Sequence, residues 1–291
     1  MNKTSIEYLD YTCNPLAMRC TPIAIGCTNC WHLTTCDRLK ENYYSFGHKI
    51  RDAYSGEGPP ILVESRLNAP LKRKEPSIIG VQFMGDIAHE KVSDDQRDTI
   101  FGVMCAASWH TFIILTKRPK ALLRWYNDTD ILGEGDFYPN VWIGVSISTQ
   151  EDADQLIPFL LQIPAAVRIV SVEPMLGEIN LRGGTYDLDW LNGWCVETEG
   201  EYDRRDGYFY RVPIQAQTEK IDGVIIGCES GPKRRPCKIE RIENLIGQCV
   251  DTGTPVFVKQ AEIDGKVVSM PRIMDRTWDQ LPNQASPNHP G

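Results

Sequence analysis

Residues 112–119, FIILTKRP, place a continuous apolar run directly before a polar and basic turn. A run of this kind is typical of a parallel strand buried on both faces, with its polar residues at the carboxyl end of the strand. Six other short runs have a similar pattern, at residues 6–11, 78–84, 141–146, 167–172, 223–227 and 255–259. Their recurrence along the chain predicts a sheet of parallel strands.

The segments between these runs have helical patterns. Ser93 starts a capping-box sequence, Thr149 opens a second helix, and residues 241–250 form a third that stops near Gly253. Pro158 predicts a kink or an early end of the second helix. Strand–helix alternation predicts a parallel α/β fold, and six or seven such units favour a partial or complete (β/α) barrel over a flat, doubly wound sheet.

The chain of 291 residues is predicted to form one barrel domain over residues 1–281, followed by a flexible tail at 282–291. Two stretches interrupt the alternation. Residues 34–75 are polar, with a helical pattern near 34–53, whereas residues 183–220 are long, aromatic and charged. An insertion as long as the second is usually functional, such as a lid or binding arm; a surface hairpin without a role is the alternative.

Composition limits the function classes. No run is long enough to span a membrane, and the first ten residues, MNKTSIEYLD, lack the apolar core of a signal peptide, so we expect a cytoplasmic protein. In that reducing compartment, ten cysteines favour metal ligands or buried thiols over disulfides. A net charge of −8 argues against a broad grip on nucleic acid, although basic clusters at 117–124 and 233–235 leave a local basic channel open.

Three cysteines, Cys20, Cys27 and Cys30, lie in one loop punctuated by proline and glycine. Three thiolates within eleven residues can hold one metal centre and leave one position open. An iron–sulfur cluster on three cysteines keeps one iron free, whereas a closed zinc site needs four ligands. The zinc alternative takes His32 or Cys36 as the fourth ligand, and it predicts an adaptor or nucleic-acid-binding module without redox chemistry.

Polar residues follow the predicted strands, at the positions where a parallel barrel carries its active site. The candidates are Asp86, His89, Lys117, Arg118, Ser146, Ser148, Glu173, Glu229, Lys259 and Gln260. Structural alternatives stay open: Asp86 or Ser146 could cap a helix, and His89 could be a packing residue. Glu173 could be the buried ion-pair partner of Lys117 or Arg118.

The remaining cysteines are predicted mainly to be ordinary thiols. Cys105, Cys195 and Cys249 are expected to be buried. Cys228 ends a strand, so it is either a packed thiol or faces the site, and Cys13, Cys36 and Cys237 are possible additional ligands. A metal-free hydrolase has no support, because the chain contains no Gly-x-Ser-x-Gly motif, no His-x-x-x-His pair and no phosphate-binding glycine loop.

Several stretches carry a family resemblance, in this order: NP at 14–15 before CTPIAIGCTNC at 20–30, MGDIAH at 84–89, LTKRP at 115–119, PNVWIGVS at 139–146, PAAVR at 164–168 with SVEP at 171–174, ESGP at 229–232 and VFVKQ at 256–260. In them the chain resembles, nearly end to end, a family of phage and prophage proteins whose pattern places them with the radical S-adenosylmethionine (AdoMet) barrels. The chain departs from the family pattern in having Cys13 where a Trp is usual, Trp31 where a Tyr is usual, and Ser148-Thr149 in place of Glu-Asn. Its first two cysteines are separated by six residues, whereas most radical AdoMet enzymes have three there.

The resemblance implies a [4Fe–4S] cluster on Cys20, Cys27 and Cys30, with AdoMet bound at the fourth iron. Reduction by an external donor, such as flavodoxin or ferredoxin, would cleave AdoMet and release a 5′-deoxyadenosyl radical that abstracts hydrogen from the substrate. Related barrels imply that Asp86 binds the AdoMet amine, Ser146 and Ser148 the ribose, and Lys117 or Arg118 the carboxylate, which leaves Glu173, Glu229 and Lys259 to face the substrate.

The same resemblance suggests a substrate. A modified nucleobase in phage DNA, for instance an amino-acid-modified thymidine, would be rearranged by a radical isomerisation after it is flipped out of the duplex. Photolesion repair or another nucleotide modification is the alternative. The insertion would stack on and hold the nucleic acid through Trp190, Trp194, Tyr202, Tyr208, Phe209 and Tyr210, with Arg204, Arg205 and Arg211.

Overall fold

The structure is a computed structural model that describes residues 1–41, 43–129, 137–183, 189–203, 208–217 and 219–282. For residues 43–46, 194–203 and 208–217 it describes the backbone alone. Most of the predicted tail, from residue 283 onward, lies outside the described residues, and the single-domain boundary stays a prediction.

The described residues form fifteen strands and eight α-helices. The strands are β1 (Asn2–Lys3), β2 (Tyr11–Cys13), β3 (Leu16–Ala17), β4 (Ile61–Leu62), β5 (Ile78–Val81), β6 (Thr111–Thr116), β7 (Val141–Ile147), β8 (Val167–Val172), β9 (Trp194–Asp203), β10 (Tyr208–Gln217), β11 (Gly223–Gly227), β12 (Val256–Ile263), β13 (Lys266–Ser269), β14 (Arg272–Ile273) and β15 (Arg276–Thr277). The helices are α1 (Trp31–Glu41), α2 (Tyr43–Ser55), α3 (Glu64–Leu67), α4 (Ala69–Lys72), α5 (Asp94–Ala106), α6 (Pro119–Asp128), α7 (Gln150–Gln162) and α8 (Ile239–Thr252).

Nine strands form one sheet in the order β1-β2-β5-β6-β7-β8-β11-β12-β13. The seven strands from β2 to β12 are parallel and follow one another in chain order, whereas β1 and β13 pair antiparallel at the two edges. Right-handed crossovers that always advance in one direction place their helices on the same face of the sheet. The predicted parallel α/β architecture is therefore confirmed.

The two faces of this sheet have separate cores. The helix-covered face joins a large cluster that includes Ile114, Val145 and Val172 together with Phe101 of α5 and Leu122 of α6. The other face carries a smaller cluster, formed by Tyr8, Leu9, Ile113, Trp142, Val167, Ile169, Ile225 and Phe257. Strand pairing among the described residues does not close the sheet into a barrel.

Most predicted elements are confirmed. The strands at 167–172 and 223–227 have the predicted bounds, Ser93 and Thr149 form capping boxes, helices cover the pattern near 34–53, and Gly253 ends α8 in the left-handed conformation. The early end at Pro158 is wrong, because α7 continues to Gln162 with Ile157, Leu160 and Leu161 buried around the proline. One missing backbone hydrogen bond is tolerated where the flanking turns are held by such packing.

The strand predicted at residues 6–11 is also wrong, since β2 begins only at Tyr11. Residues 6–9 form a turn in which Leu9 N–H donates to the Ile6 carbonyl at 3.0 Å. Tyr8 and Leu9 are both buried on the smaller-core face, and the Tyr8 ring lies 5.7 Å from that of Phe257. Burial of two large side chains therefore outweighs a longer strand pairing.

Within the 183–220 insertion, β9 and β10 pair with each other in an antiparallel ribbon. Trp190 at its base is fully buried, and Ile221 N–H donates to the Trp190 carbonyl at 3.0 Å. Trp190 is thus a core residue, and its predicted stacking on nucleic acid is wrong. The other aromatic and arginine side chains predicted to contact nucleic acid lie outside what the structure describes, as do Arg204 and Arg205 entirely.

Among the described residues, none of the helices combines the length and the apolar character needed to cross a bilayer.

Candidate site at the carboxyl edge of the sheet

The carboxyl edge, where the parallel strands end, is crossed by the cysteine loop, residues 20–30. Because these strands point the same way, the turns that follow them gather at this edge. The loop contacts residues that follow four different strands: His89 after β5, Arg118 after β6, Ser148 after β7 and Glu229 after β11. The predicted convergence of polar strand ends around the cysteines is confirmed for these residues.

The first half of the loop is held by Arg118. Its Nη2 donates to the Thr21 carbonyl at 2.8 Å, and its Nη1 lies 3.6 Å from Cys20 Sγ. Burial and the nearby charge of Asp86 raise the pKa of Cys20 to about 11, while the Arg118 guanidinium acts in the opposite direction. Arg118 therefore supplies positive charge directly beside this sulfur.

Asp86 orients Arg118 through an ion pair. Its Oδ2 accepts from Arg118 Nη1 at 3.1 Å and from Lys117 N–H at 3.2 Å. Its Oδ1 accepts from Thr116 Oγ1 at 2.7 Å and from Ala88 N–H at 2.9 Å. Both oxygens of this buried carboxylate have protein donors, so these contacts are those of a positioning residue. The predicted contact with an AdoMet amine stays a prediction.

His89 is a fully buried packing residue. Its Nδ1 accepts from Lys91 N–H at 3.1 Å, and its Nε2 lies 3.2 Å from Thr21 N and 3.0 Å from Thr21 Oγ1. Burial, reinforced by the positive charge of Arg118, lowers the pKa of His89. A neutral imidazole therefore supports the loop, as the packing alternative predicts.

The second half of the loop is held by a different ion pair. Arg235 donates to the buried Glu229 carboxylate through Nη2 at 2.6 Å, Nε at 3.0 Å and its backbone N–H at 2.7 Å. Asn29 Nδ2 donates to Glu229 Oε2 at 3.1 Å, and Arg235 Nη1 donates to the Ile25 carbonyl at 3.0 Å. Arg235 lowers the pKa of Glu229 to about 2. Glu229 is thus an ionised partner of the loop, and its predicted catalytic role has no contact that favours it.

The middle of the loop packs directly onto Ser148. Residues Ile25–Cys27 form a short 3-10 turn, and a Cβ added at Gly26 would lie 2.2 Å from Ser148 Oγ. Ser148 is fully buried, and its hydroxyl has no hydrogen-bond partner among the described residues. A ribose contact at Ser148 would therefore require the loop to move, so this contact remains a prediction.

Lys117 extends from β6 to the end of β7. Its ammonium donates to Ser146 Oγ at 2.7 Å and to the Ser146 carbonyl at 3.0 Å. Burial lowers the pKa of Lys117, and the negative charges of Cys27, Asp152, Asp86 and Cys30 oppose that shift. Lys117 therefore lies within electrostatic range of two loop cysteines.

Glu173 pairs with Lys259, not with Lys117 or Arg118 as its structural alternative predicts. The Glu173 carboxylate packs against the end of β11, where a Cβ added at Gly227 would lie 3.2 Å from Glu173 Cδ. The two side chains retain 22% and 18% of their surface exposed to solvent. This pair is therefore accessible at the same edge.

The three loop cysteines are partly exposed free thiols. Within the described part of the chain, no three His, Cys, Asp or Glu side chains are arranged as a group that could hold a metal ion. The donor set nevertheless fits a soft metal centre, because three thiols that could bind as thiolates lie on one short loop, with Arg118 and Lys117 nearby to offset the negative charge. Binding would require the three sulfurs to draw together.

A second pair of donors lies next to Cys20. His32 Nε2 is 3.4 Å from Cys36 Sγ and accepts from Cys20 N–H at 3.3 Å. Burial lowers the pKa of His32 to about 4, so its imidazole is neutral. Of the remaining cysteines, Cys249 is buried as predicted and Cys228 is buried as its packed alternative predicts, whereas Cys105, predicted to be buried, is exposed. The side chain of Cys195 lies outside the described residues.

Sequence reasoning missed three residues of this site: Gly26, Asn29 and, except as part of a basic cluster, Arg235. Asn29 lies between two candidate ligands, and Gly26 directly precedes one, so their positions were the available signal. Their partners lie far along the chain: Asn29 contacts Glu229 across 200 positions, Arg235 contacts Ile25 across 210, and Gly26 packs on Ser148 after β7. No local pattern indicates such contacts.

The chain belongs to the family described as "Protein of unknown function (DUF5131)", whose family model matches residues 3–282. Neither the search of curated proteins nor the search of solved structures found a match.

Proposed function

We propose that this protein is a radical AdoMet enzyme that carries a [4Fe–4S] cluster on Cys20, Cys27 and Cys30. The observation that carries the proposal is the position of the cysteine loop, which crosses the carboxyl edge of a parallel sheet among the predicted polar strand ends. The strand order and the single helix-covered face support the finer proposal that this sheet is the wall of a partial (β/α) barrel.

When bound, the cluster and AdoMet together supply a 5′-deoxyadenosyl radical that abstracts hydrogen from the substrate. The three thiolates hold the metal, and the cations of Arg118 and Lys117 offset their negative charge. Lys117 and Ser146 together present polar groups at the end of β7, where the carboxylate and ribose of AdoMet are proposed to bind. Asp86 acts by fixing Arg118.

The substrate is proposed to meet Glu173 and Lys259. These residues form an accessible ion pair, so either can exchange its partner for a substrate group or transfer a proton. Tyr8 and Phe257 lie in the apolar cluster on the same face of the sheet, and such a surface excludes water from a reactive centre.

We further propose a modified nucleobase in DNA as the substrate, with isomerisation as the reaction. A basic stretch at 233–235 supports this proposal. It lies beside the cysteine loop, as the hydrogen bond of 2.9 Å from Asn29 Nδ2 to the Lys233 carbonyl shows. Lys233 is exposed there. The insertion at 183–220 contains eight acidic and four basic residues, so we assign phosphate contacts to Lys233 and Arg234 and not to the insertion.

Electrons would come from a separate donor protein, of the flavodoxin or ferredoxin kind. The test of the cluster is anaerobic purification followed by iron, sulfide and zinc analysis and a visible spectrum. We expect a brown protein with about four iron and four sulfide per chain, bleached by dithionite.

The Cys27→Ala variant is expected to lose the iron and the colour, while Cys105→Ala, at an exposed thiol on α5, keeps both. A colourless protein that takes up no iron after reconstitution with iron and sulfide would refute the radical mechanism.

A second candidate, a zinc-binding module that acts as an adaptor or binds nucleic acid, is favoured by one observation. The separation of 3.4 Å between His32 Nε2 and Cys36 Sγ suits two ligands of one tetrahedral zinc ion beside Cys20. This candidate predicts one zinc per chain and its loss in His32→Ala. The iron-cluster proposal predicts that His32→Ala keeps its iron.

A further inference from the structure

The Glu229–Arg235 ion pair lies in the loop that follows β11 and makes hydrogen bonds to the cysteine loop. Glu229 lies two residues after the end of β11, and Gly231, with a φ of +99°, reverses the chain so that Arg235 returns to the same carboxylate. The two residues make three hydrogen bonds with each other at 2.6–3.0 Å. This closed arrangement is rigid by itself, since a bidentate arginine–carboxylate contact fixes both side chains.

Its contacts to the cysteine loop fall on the stretch that contains Cys27 and Cys30. Asn29, between these two cysteines, donates to Glu229 Oε2 at 3.1 Å and to the Lys233 carbonyl at 2.9 Å. Arg235 donates to the Ile25 carbonyl at 3.0 Å, and the same carbonyl accepts from Thr28 N–H at 3.2 Å inside the turn. The pair therefore holds both sides of Cys27.

Cys20 depends on different residues. Its end of the loop is held by Arg118 through the Thr21 carbonyl and by His89 through Thr21. None of the described hydrogen bonds connects Glu229 or Arg235 to Cys20 or Thr21. The two halves of the loop can therefore be loosened separately.

We propose that Glu229 and Arg235 are positioning residues that hold Cys27 and Cys30 in place before any metal binds, while Arg118 independently holds Cys20. The proposal goes beyond the iron-cluster function and does not rest on it, because the same three cysteines would need positioning for iron or for zinc. It assigns Glu229 a role in building the site and leaves the substrate to other residues.

The test is hydrogen exchange of the full-length reduced protein, as isolated and after treatment with a chelator. In Glu229→Gln, the amides of Cys27, Thr28 and Cys30 are expected to exchange at least about tenfold faster than in the wild type, since a hydrogen bond to a charged group is lost. Alkylation by iodoacetamide after chelation should quicken by a similar factor at Cys27 and Cys30, with Cys20 unchanged.

Arg235→Lys is the second variant, because it keeps the charge and loses the bidentate contact. Glu219→Gln is the matched control: Glu219 also pairs with an arginine, Arg168, but near the amino ends of the strands. The proposal is overturned if both variants exchange and alkylate like the control, or if all three cysteines quicken equally. These outcomes are the same whether the protein binds iron, zinc or no metal. Failure of the positioning proposal can therefore be told apart from failure of the iron-cluster proposal.

Discussion

Two groups of carboxylates at the carboxyl edge differ in what their partners do. Asp86 and Glu229 each keep only 6% of their side-chain surface exposed, and each pairs with an arginine that reaches the cysteine loop. Glu173 keeps 22% exposed, and the partner it contacts is Lys259, outside the loop. The difference indicates that the buried carboxylates hold the loop, and we propose that the accessible pair meets a substrate.

Asp86→Ala is expected to have the largest effect on stability among the variants that test this comparison. Removing this buried carboxylate leaves Arg118 with only the largely exposed Glu90 carboxylate, 3.2 Å from its Nε, so we expect a loss of about 3–5 kcal/mol in the free energy of unfolding. Urea denaturation measures it. The control is Asp251→Ala, which breaks an ion pair with Arg182 in which the Asp251 and Arg182 side chains are 68% and 32% exposed, and which should cost about 1 kcal/mol or less. Equal costs for the two variants would remove the distinction.

Glu173→Gln tests the accessible member of the comparison. Because the pair with Lys259 is partly exposed, stability should change by about 1 kcal/mol or less. Loss of a positioned acid or base should slow hydrogen transfer from a DNA oligonucleotide that carries the modified base by roughly 10²-fold or more. The measurement is deuterium transfer into 5′-deoxyadenosine, alongside AdoMet cleavage without substrate, which should persist. An unchanged rate of hydrogen transfer would show that Glu173 has a structural role, like Asp86 and Glu229.

Gly26→Ala probes the middle of the loop. The added Cβ would lie 2.2 Å from Ser148 Oγ, so we expect a loss of about 1–3 kcal/mol in stability, measured by urea denaturation. Ser148→Ala removes an unpartnered hydroxyl, so it should be nearly neutral alone and should restore part of the loss in the double variant. Gly102→Ala is the control, because a Cβ there meets nothing within 4 Å. Equal effects at the two glycines would contradict the contact.

Glu229→Gln tests the second buried carboxylate through its pH dependence. The pKa of Glu229 is lowered from 4.5 to about 2, so its ion pair stabilises the folded state above about pH 4.5 and loses that contribution as the pH falls towards 2. The stability difference between wild type and Glu229→Gln should therefore narrow over this interval in urea titrations at several pH values. A difference that stays constant down to pH 2 would show that the carboxylate charge contributes nothing.

Local sequence patterns predict the strand–helix order, the capping boxes at Ser93 and Thr149, and the position of the cysteine loop at the carboxyl edge, as the structure has them. These features follow from local causes: an apolar run is buried wherever a sheet forms, and a cap bonds to its own helix three residues away. The error at residues 6–11 has a tertiary cause, because Tyr8 and Leu9 are buried against strands far along the chain.

The pairing of the polar residues at this edge follows from the folded arrangement and from no local pattern. Arg118 reaches Cys20 across 98 positions and Arg235 reaches Ile25 across 210. Glu173 pairs with Lys259, although Lys117 and Arg118 are nearer to it in the sequence. Such pairings depend on which turns the parallel strands bring to one edge and on how deeply each charge is buried. Both are properties of the assembled sheet, since a local run of residues specifies its own conformation but not its distant neighbours.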